Sequence, residues 1–419
     1  MSALPSTAAL DGAASTRLRG LPPAARSVVA LLQRLRGDRL ELVLPDGRAL
    51  HFGEHAAGEQ APLQLRVLDW RAFGDTLRRG DIGFGEGYFE QRWTTSDLPR
   101  LLRLLLLNRD SLQRALYGSA WGTLLLRLRH LLRGNSRRGS RLNIHAHYDI
   151  GNAFYASWLE PGMNYSSALF ESGARDLDQA QQAKLQRVLR QLDTGPGSRV
   201  LEIGCGWGGF AEAAAAGGMR VDGITLSREQ LQWGRERLRL AGLDERARLH
   251  LLDYRDVARL APPGGYDAIA SIEMFEAVGE RYWKGYFRVL ADNLRPGGRA
   301  CVQSITIDDA LFEDYRRSSD FIQQYVFPGG MLPCRSRFRE LAANAGLDVL
   351  DEHGFGADYA STLAIWRERF ARAARRVEAL GHDQRFRRLW EFYLAYCEAG
   401  FAQGSIDVVQ FTLRRSARR

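Results

Sequence analysis

The chain has 419 residues, of which 45% are hydrophobic, and a formal net charge of +9. Its length predicts two domains, and no apolar stretch reaches the roughly 20 residues that a membrane-spanning helix needs. No cationic segment followed by an apolar one opens the chain, so we expect a cytoplasmic protein. The four cysteines lack paired spacing, which excludes a disulfide scaffold. The positive charge favours an anionic partner, either nucleic acid or an acidic lipid surface.

Residues 1–135 are predicted to form a smaller α+β domain. A helix is expected around 25–35, two short strands flank a Pro-Asp-Gly turn within 39–53, and another strand covers 63–68. Across 97–132 leucines recur at helical spacing with arginines among them, which predicts a long or broken helix. Such a helix is typical of a membrane-surface anchor or of an ordinary packing helix, and the sequence leaves both open.

A polar, basic and glycine-containing stretch indicates a linker, which we place at 136–145, before a second domain at 146–419. Helices and strands alternate in this second domain, which predicts a doubly wound α/β fold with a mostly parallel sheet. The predicted strands are 199–203, 219–225, 247–252, 267–272 and 300–305, and the predicted helices between them include 179–192, 210–216 and 227–241.

The first strand of this series runs into a glycine-rich loop that contains Gly204, Gly206, Trp207 and Gly209. The glycines fit the GxGxxG pattern of nicotinamide-binding proteins, but that pattern alone is weak. A dinucleotide site has an acid at the end of the second strand, whereas here that strand continues as Gly-Ile-Thr-Leu. Glu202 ends the first strand, where a carboxylate can approach the amino-acid part of S-adenosylmethionine. The loop therefore favours a methyltransferase.

The third strand is followed directly by Asp253, Tyr254 and Arg255. These residues are predicted to recognise adenine through an acid and an aromatic ring. Asp253 is also a good helix N-cap, and both roles can hold together. No cluster of His, Cys and acidic residues has the spacing of metal ligands, so we expect no metal.

Seven motifs in order resemble the cyclopropane-fatty-acid synthase family, over the chain from about residue 144 to the C-terminus. They are HYDIGN (147–152), MNYSSA (163–168), LEIGCGWGG (201–209), GITLS (223–227), SIEMFEAVG (271–279), FIQQYVFPGG (321–330) and FGADY (355–359). The resemblance implies a seven-stranded, mostly parallel methyltransferase sheet that binds S-adenosylmethionine. It assigns Tyr165 and Ser166 to the sulfonium and carboxylate side, Gly204 and Gly206 to the methionine part, Thr225 and Gln230 to the ribose, and Tyr254 and Arg255 to adenine, with Glu202, Trp207 and Asp253 completing the set.

Family members transfer a methyl group to the cis double bond of a phospholipid acyl chain, and a base then removes a proton so that a cyclopropane ring closes. The resemblance implies bicarbonate as that base, held by Glu276, the main chain of Ile305, Tyr359 and the positions of Ser167 and Gln303. The family pattern has cysteine and histidine at these last two positions. Serine and glutamine still form hydrogen bonds to an anion, so bicarbonate stays open.

These two departures bear on the product, because neither serine nor glutamine titrates near neutrality as histidine does. We expect a cyclopropane, and we keep methyl- or methylene-branching without ring closure as the alternative. Glu273, three residues before Glu276, is interpreted either as a supporting residue or as a solvated charge.

The implied partners are phospholipids with unsaturated acyl chains and the anionic inner face of the cell membrane. The positive charge also favours a nucleic-acid methyltransferase, but the chain has neither an Asn-Pro-Pro-Tyr motif nor an aromatic-rich basic groove motif, so we expect no nucleic acid. A non-enzymatic lipid-binding partner is supported only by the two departures. The oligomeric state is open, and a homodimer is compatible with the sequence.

Overall fold

The computed structural model describes residues 20–53, 61–109, 111–112, 150–170 and 176–416. The chain divides into two compact units, Met1–Leu124 and Leu125–Arg419. The linker predicted at 136–145 lies outside the described residues, so its position stays a prediction. Within the described ranges, no helix has the length and apolar character that crossing a membrane requires.

The first unit contains a four-stranded sheet with helices. Its elements are α1 (Pro23–Leu32), β1 (Leu40–Val43), β2 (Ala49–Phe52), β3 (Leu63–Val67), α2 (Arg71–Arg79), α3 (Asp81–Phe89), β4 (Trp93–Thr95) and α4 (Leu98–Leu107). The strand order is β2-β1-β3-β4, in which only β1 and β3 pair in parallel. Alternate side chains of β1 and β3 are buried, as the two-residue period of a strand requires.

Helix α4 is the described part of the long helix predicted at 97–132. Its N-cap is Asp97, whose side chain accepts a hydrogen bond from Arg100 N at 2.9 Å. Leu101, Leu102 and Leu104 are buried, and the Arg100 guanidinium pairs with Asp38 of the same unit. These turns therefore behave as a packing helix, while the stretch at 113–132 lies outside the described residues.

The second unit contains a seven-stranded sheet with helices on both sides. Its strands are β5 (Arg199–Ile203), β6 (Arg220–Thr225), β7 (Ala247–Leu251), β8 (Tyr266–Ile272), β9 (Leu294–Ile307), β10 (Leu347–Gly354) and β11 (Ile406–Arg415). Its α-helices are α5 (Asn152–Tyr155), α6 (Leu177–Leu192), α7 (Gly209–Ala216), α8 (Arg228–Leu240), α9 (Trp283–Asn293), α10 (Phe312–Arg317), α11 (Phe321–Tyr325), α12 (Arg335–Asn344), α13 (Gly356–Arg372), α14 (Ala374–Ala379) and α15 (Gln384–Ala402).

The strand order in this sheet is β10-β11-β9-β8-β5-β6-β7. Strands β5 to β9 pair in parallel, while β11 runs antiparallel to both β9 and β10. The predicted doubly wound, mostly parallel, seven-stranded sheet is confirmed. Helix α6 begins at the N-cap Asp176, and α8 begins at Ser227, whose hydroxyl accepts from Gln230 N at 3.2 Å.

The chain order reverses at β5, which has β6 on one side and β8 on the other. In open α/β sheets a crevice forms beyond the carboxyl ends of the strands at such a reversal, and ligands bind there. The glycine-rich loop follows β5 and the Glu273–Glu276 segment follows β8, so both lie at this edge.

Candidate active site

The glycine-rich loop turns sharply after β5. Gly204 N and Cys205 N both donate to the carbonyl oxygen of Ile224 on β6, at 3.0 and 2.9 Å. Gly204 and Gly206 have φ angles of +85° and +49°, in the region that disfavours side chains. A Cβ atom on Gly204 would also lie 2.8 Å from Met274 Cγ. Both conformation and space therefore require glycine at 204.

Glu202, the second-last residue of β5 before this loop, has a buried carboxylate. In the described part of the chain its Oε2 atom has no hydrogen-bond partner, and burial raises the pKa of the side chain to about 8. A buried polar atom without a partner calls for an explanation, and a ligand amino group is one. The residues around the loop therefore fit the amino-acid part of S-adenosylmethionine.

The residues predicted for the ribose, and the Trp207 ring of the loop, are held by hydrogen bonds. Thr225 Oγ1 donates to Gln230 Oε1 at 2.9 Å, and both side chains are almost fully buried at the end of β6 and the start of α8. Trp207 Nε1 donates to Asn152 Oδ1 at 2.7 Å, which fixes the indole ring of the loop. The ring of Tyr155 packs 5.1 Å from that of Trp207.

Asp253 caps the 3₁₀-helix Tyr254–Arg259 that follows β7. Its carboxylate accepts from Arg255 N at 3.0 Å and from the Arg255 guanidinium at 2.6 and 2.7 Å. The Arg255 guanidinium also lies 5.4 Å from the centre of the Tyr254 ring. The capping role is therefore present in the structure, and adenine recognition by these three residues stays a prediction.

Lys184 is a residue of this site that the sequence reasoning missed. Its Nζ donates to Ser166 Oγ at 2.7 Å, and the side chain is 1% exposed. Burial lowers its pKa to about 8, against the opposing effect of the carboxylates of Glu273, Glu160 and Glu202. The only available signal was its rarity, because the chain has two lysines among 58 basic residues.

Tyr165 belongs to an aromatic cluster in the second unit. Its hydroxyl lies 2.8 Å from that of Tyr393, and its ring lies 5.5 Å from Trp366 and 5.6 Å from Trp158. Ring faces carry negative potential, so an aromatic cluster of this kind favours a cation nearby.

The residues that the resemblance assigned to an anion are brought together, and Glu273 lies among them. Ser167 N and Gln303 Nε2 each donate to Glu273 Oε1 at 2.8 Å, and the Tyr359 hydroxyl donates to Glu273 Oε2 at 2.7 Å. Ile305 N donates to Glu276 Oε1. Ser167 Oγ donates to the carbonyl of Ala168 at 2.9 Å. Each predicted donor is thus engaged by the protein itself.

This engagement is the test of whether bicarbonate fits. A bound bicarbonate needs the donors of Ser167, Gln303, Ile305 and Tyr359, and two carboxylates already accept from them. A further anion would also stand against the charge of Glu273. The residues present therefore do not fit a bound bicarbonate, and we derive no step through it. Burial and the neighbouring Glu273 charge raise the pKa of Glu276 to about 8.

The chain is similar to several known proteins. A family model described as mycolic acid cyclopropane synthetase matches residues 135–411. Tuberculostearic acid methyltransferase UfaA1 of Mycobacterium tuberculosis is 39% identical over 90% of this chain and 88% of that protein. Cyclopropane-fatty-acyl-phospholipid synthase of Escherichia coli is 34% identical over 86% of this chain and 90% of its own. The mycolic acid cyclopropane synthase CmaA1, solved with SAH and CTAB, matches with a TM-score of 0.60 and 28% identity over 65% of this chain and 98% of that one.

Proposed function

The chain belongs to the mycolic acid cyclopropane synthetase family of S-adenosylmethionine-dependent methyltransferases, and we propose that it methylates the cis double bond of an unsaturated phospholipid acyl chain. The family membership predicted from the motifs is confirmed. Lipid methyl transfer is common to the named relatives, while the phospholipid, the position of methylation and the product are proposals.

One observation carries the proposal: the cofactor loop and the carboxylate cluster meet. The Cα of Gly204 packs so closely on Met274 that a Cβ atom there would lie 2.9 Å from Met274 Cβ. Met274 directly follows Glu273, and Ser166, which accepts from Lys184, directly precedes Ser167. A methyl donor held by the loop and the groups that handle a proton would therefore share one edge of the sheet.

When bound, S-adenosylmethionine supplies an electrophilic methyl group. An alkene is a weak nucleophile, so the protein has to hold it against that group and exclude water. We propose that a set of residues from the loop and the strand ends binds the cofactor: Tyr165, Ser166, Glu202, Gly204, Gly206, Trp207, Thr225, Gln230, Asp253, Tyr254 and Arg255. Methylation leaves a positive charge on the acyl chain, which the ring faces of the aromatic cluster around Tyr165 would stabilise.

The substrate class implies work at a membrane surface. We propose that the enzyme docks on the anionic inner face of the cell membrane, which the net charge of +9 supports. Vesicle flotation with and without anionic lipid tests this. Binding that is independent of anionic lipid would contradict the electrostatic part of the proposal.

Two kinds of product are consistent with methylation. Loss of a proton from the new methyl group with ring closure gives a cyclopropane, which the cyclopropane synthase among the relatives supports. If a hydride first moves from the methylated carbon to the neighbouring cationic carbon, loss of a proton from the new methyl group gives a methylene branch. Loss of a proton from an adjoining chain carbon gives a methyl-branched alkene. Ser167 and Gln303 favour this second candidate, branching without a ring, because they depart from the motif pattern at the place where the proton leaves.

Expression in a host that makes unsaturated but no cyclopropane fatty acids tests the function. Gas chromatography with mass spectrometry should show acyl chains heavier by one CH₂, and Gly204→Val, which cannot form the loop, should show none. Mild hydrogenation separates the products, since a methylene branch takes up hydrogen and a ring does not. Two results would refute the proposal. One is label from S-adenosylmethionine in nucleic acid, and the other is no labelled product although the protein binds S-adenosylhomocysteine.

A further inference from the structure

We propose that Glu273 is a catalytic residue whose carboxylate accepts the proton that leaves the methylated acyl chain, so that this enzyme needs no bound anion as base. The inference rests on the proposed function. It assigns the proton-accepting step to a side chain of this chain, one that neither the motif pattern nor the family comparison singles out.

Glu273 is fixed by hydrogen bonds and is partly exposed. Three donors, Ser167 N, Gln303 Nε2 and the Tyr359 hydroxyl, fix its two oxygens at 2.7–2.8 Å. Ser167 and Gln303 are fully buried, whereas residue Glu273 is partly exposed. We therefore place the substrate at the exposed part of residue Glu273.

The backbone at Glu273 supports a functional reason for the residue. Glu273 has a φ angle of +49°, a left-handed conformation in which glycine would be unstrained. A side chain at such a position is strained and persists where the surroundings fix it, often at functional sites. The strain places the carboxylate one residue from the Met274 contact with the cofactor loop.

A chain of buried hydrogen bonds fixes which end of the Gln303 amide points to Glu273. The Arg187 guanidinium has only donors, and its Nη1 donates to Gln410 Oε1 at 2.8 Å. Gln410 must then donate through Nε2, and it does so to Gln303 Oε1 at 3.0 Å. The Gln303 Nε2 group is therefore left to donate to Glu273. Gln410 and Gln303 are partners in the β11–β9 register, so the fold sets this chain.

The charges around Glu273 suit a proton acceptor. Burial raises its pKa, while the Tyr359, Ser167 and Gln303 hydrogen bonds and the Lys184 charge oppose that rise. A base works best when its pKa lies near the working pH. Among the groups that donate to Glu273, the Ser167 main chain and the Gln303 amide do not titrate in this range.

The proposed step balances without an oxidant or reductant. The π electrons of the double bond form the bond to the methyl carbon, and the sulfur keeps the pair of the broken S–C bond. The acyl chain then carries one positive charge. One C–H bond breaks, its electron pair closes either a ring or a double bond, and the proton goes to a Glu273 carboxylate oxygen.

The test compares the full-length protein with Glu273→Gln and Glu273→Gly, using unsaturated phospholipid vesicles and labelled S-adenosylmethionine in CO₂-free buffer with and without bicarbonate. The wild-type protein should transfer label at the same rate with and without bicarbonate. Glu273→Gln should be slower by about 10²- to 10⁴-fold in both, since general base catalysis contributes that much. Glu273→Gly opens space and frees the donors, so bicarbonate should partly restore its rate.

A second readout does not depend on turnover. Broadening of the ¹³C-bicarbonate signal should appear with Glu273→Gly and not with the wild type. The glycine variant should fold, because its φ angle suits glycine, and S-adenosylhomocysteine binding by calorimetry checks folding. Glu340→Gln, an exposed residue paired with Arg337, is the matched control.

Three results overturn the inference: a wild-type rate that needs bicarbonate, wild-type broadening of the bicarbonate signal, or full activity of Glu273→Gln. If no variant and no wild type labels lipid, the proposed function fails. The bicarbonate signal then still decides whether the Glu273 carboxylate excludes an anion from these donors.

Discussion

Replacing single glycines by alanine should separate backbone strain from steric contact in the cofactor loop. Gly204→Ala meets both, because φ is +85° and the new Cβ would lie 2.8 Å from Met274 Cγ. We expect about 1–2 kcal/mol for the left-handed conformation and about 1–3 kcal/mol for overpacking. Gly206→Ala meets only the first cost, since φ is +49° and no atom lies within 4 Å of its Cβ position. Gly285→Ala, in α9 with open space, should stabilise by about 0.5–1 kcal/mol.

Thermal unfolding gives the order of stability, and calorimetry with S-adenosylhomocysteine gives the binding. The midpoint temperature of unfolding should rise in Gly285→Ala. It should fall in Gly206→Ala and fall further in Gly204→Ala. Binding should be unchanged in Gly285→Ala and weakest in Gly204→Ala. If Gly204→Ala matched the wild type in both measurements, the loop would not need glycine at 204 and the reasoning would be refuted.

Two further predictions concern stability around the site. Asp253→Ala removes the N-cap and the Arg255 pair and should lower the unfolding free energy by about 0.5–2 kcal/mol, whereas Glu236→Ala, in an exposed pair with Arg239, should change it little by denaturant unfolding. Burial raises the pKa of Glu276 from 4.5 to about 8, so its contribution to stability is complete below about pH 4.5 and is lost as pH rises through about 8. The midpoint of thermal unfolding should therefore fall less steeply between pH 5 and pH 8 for Glu276→Gln than for the wild type. Equal dependence of the midpoint on pH in the two proteins would contradict this.

Local patterns predicted the parallel part of the sheet well. The strand at 199–203 was predicted with its observed bounds, because Val200, Leu201 and Ile203 form an apolar run closed by glycines. Strand β9 runs from Leu294 to Ile307 and is longer than the strand predicted at 300–305. Its pairing with β8 and β11 extends it beyond the local apolar pattern. Strands β10 and β11 were not predicted, because an antiparallel pair at the end of the series has no βαβ signal.

The site was predicted less completely than the fold. Motifs identified Ser167, Gln303, Ile305 and Tyr359, which the fold brings together from distant parts of the chain. They did not reveal that Glu273, treated as a support or a solvated charge, is where three of these donors converge. Hydrogen-bond direction depends on side-chain geometry and on the left-handed φ at 273, and neither is written in residue spacing.

The glutamine at 303 suits a carboxylate at 273 that accepts a proton. A carboxylate that accepts a proton is best surrounded by donors that do not themselves gain or lose one. Cysteine and histidine titrate, whereas a main-chain N–H and an amide Nε2 do not. The Arg187–Gln410–Gln303 chain fixes the amide as a donor, so Gln303 stabilises the charged form of Glu273 without competing for the proton. Glutamine at 303 is thus a partner that suits a built-in carboxylate, whereas residue 167 contributes a main-chain N–H that does not depend on its side chain.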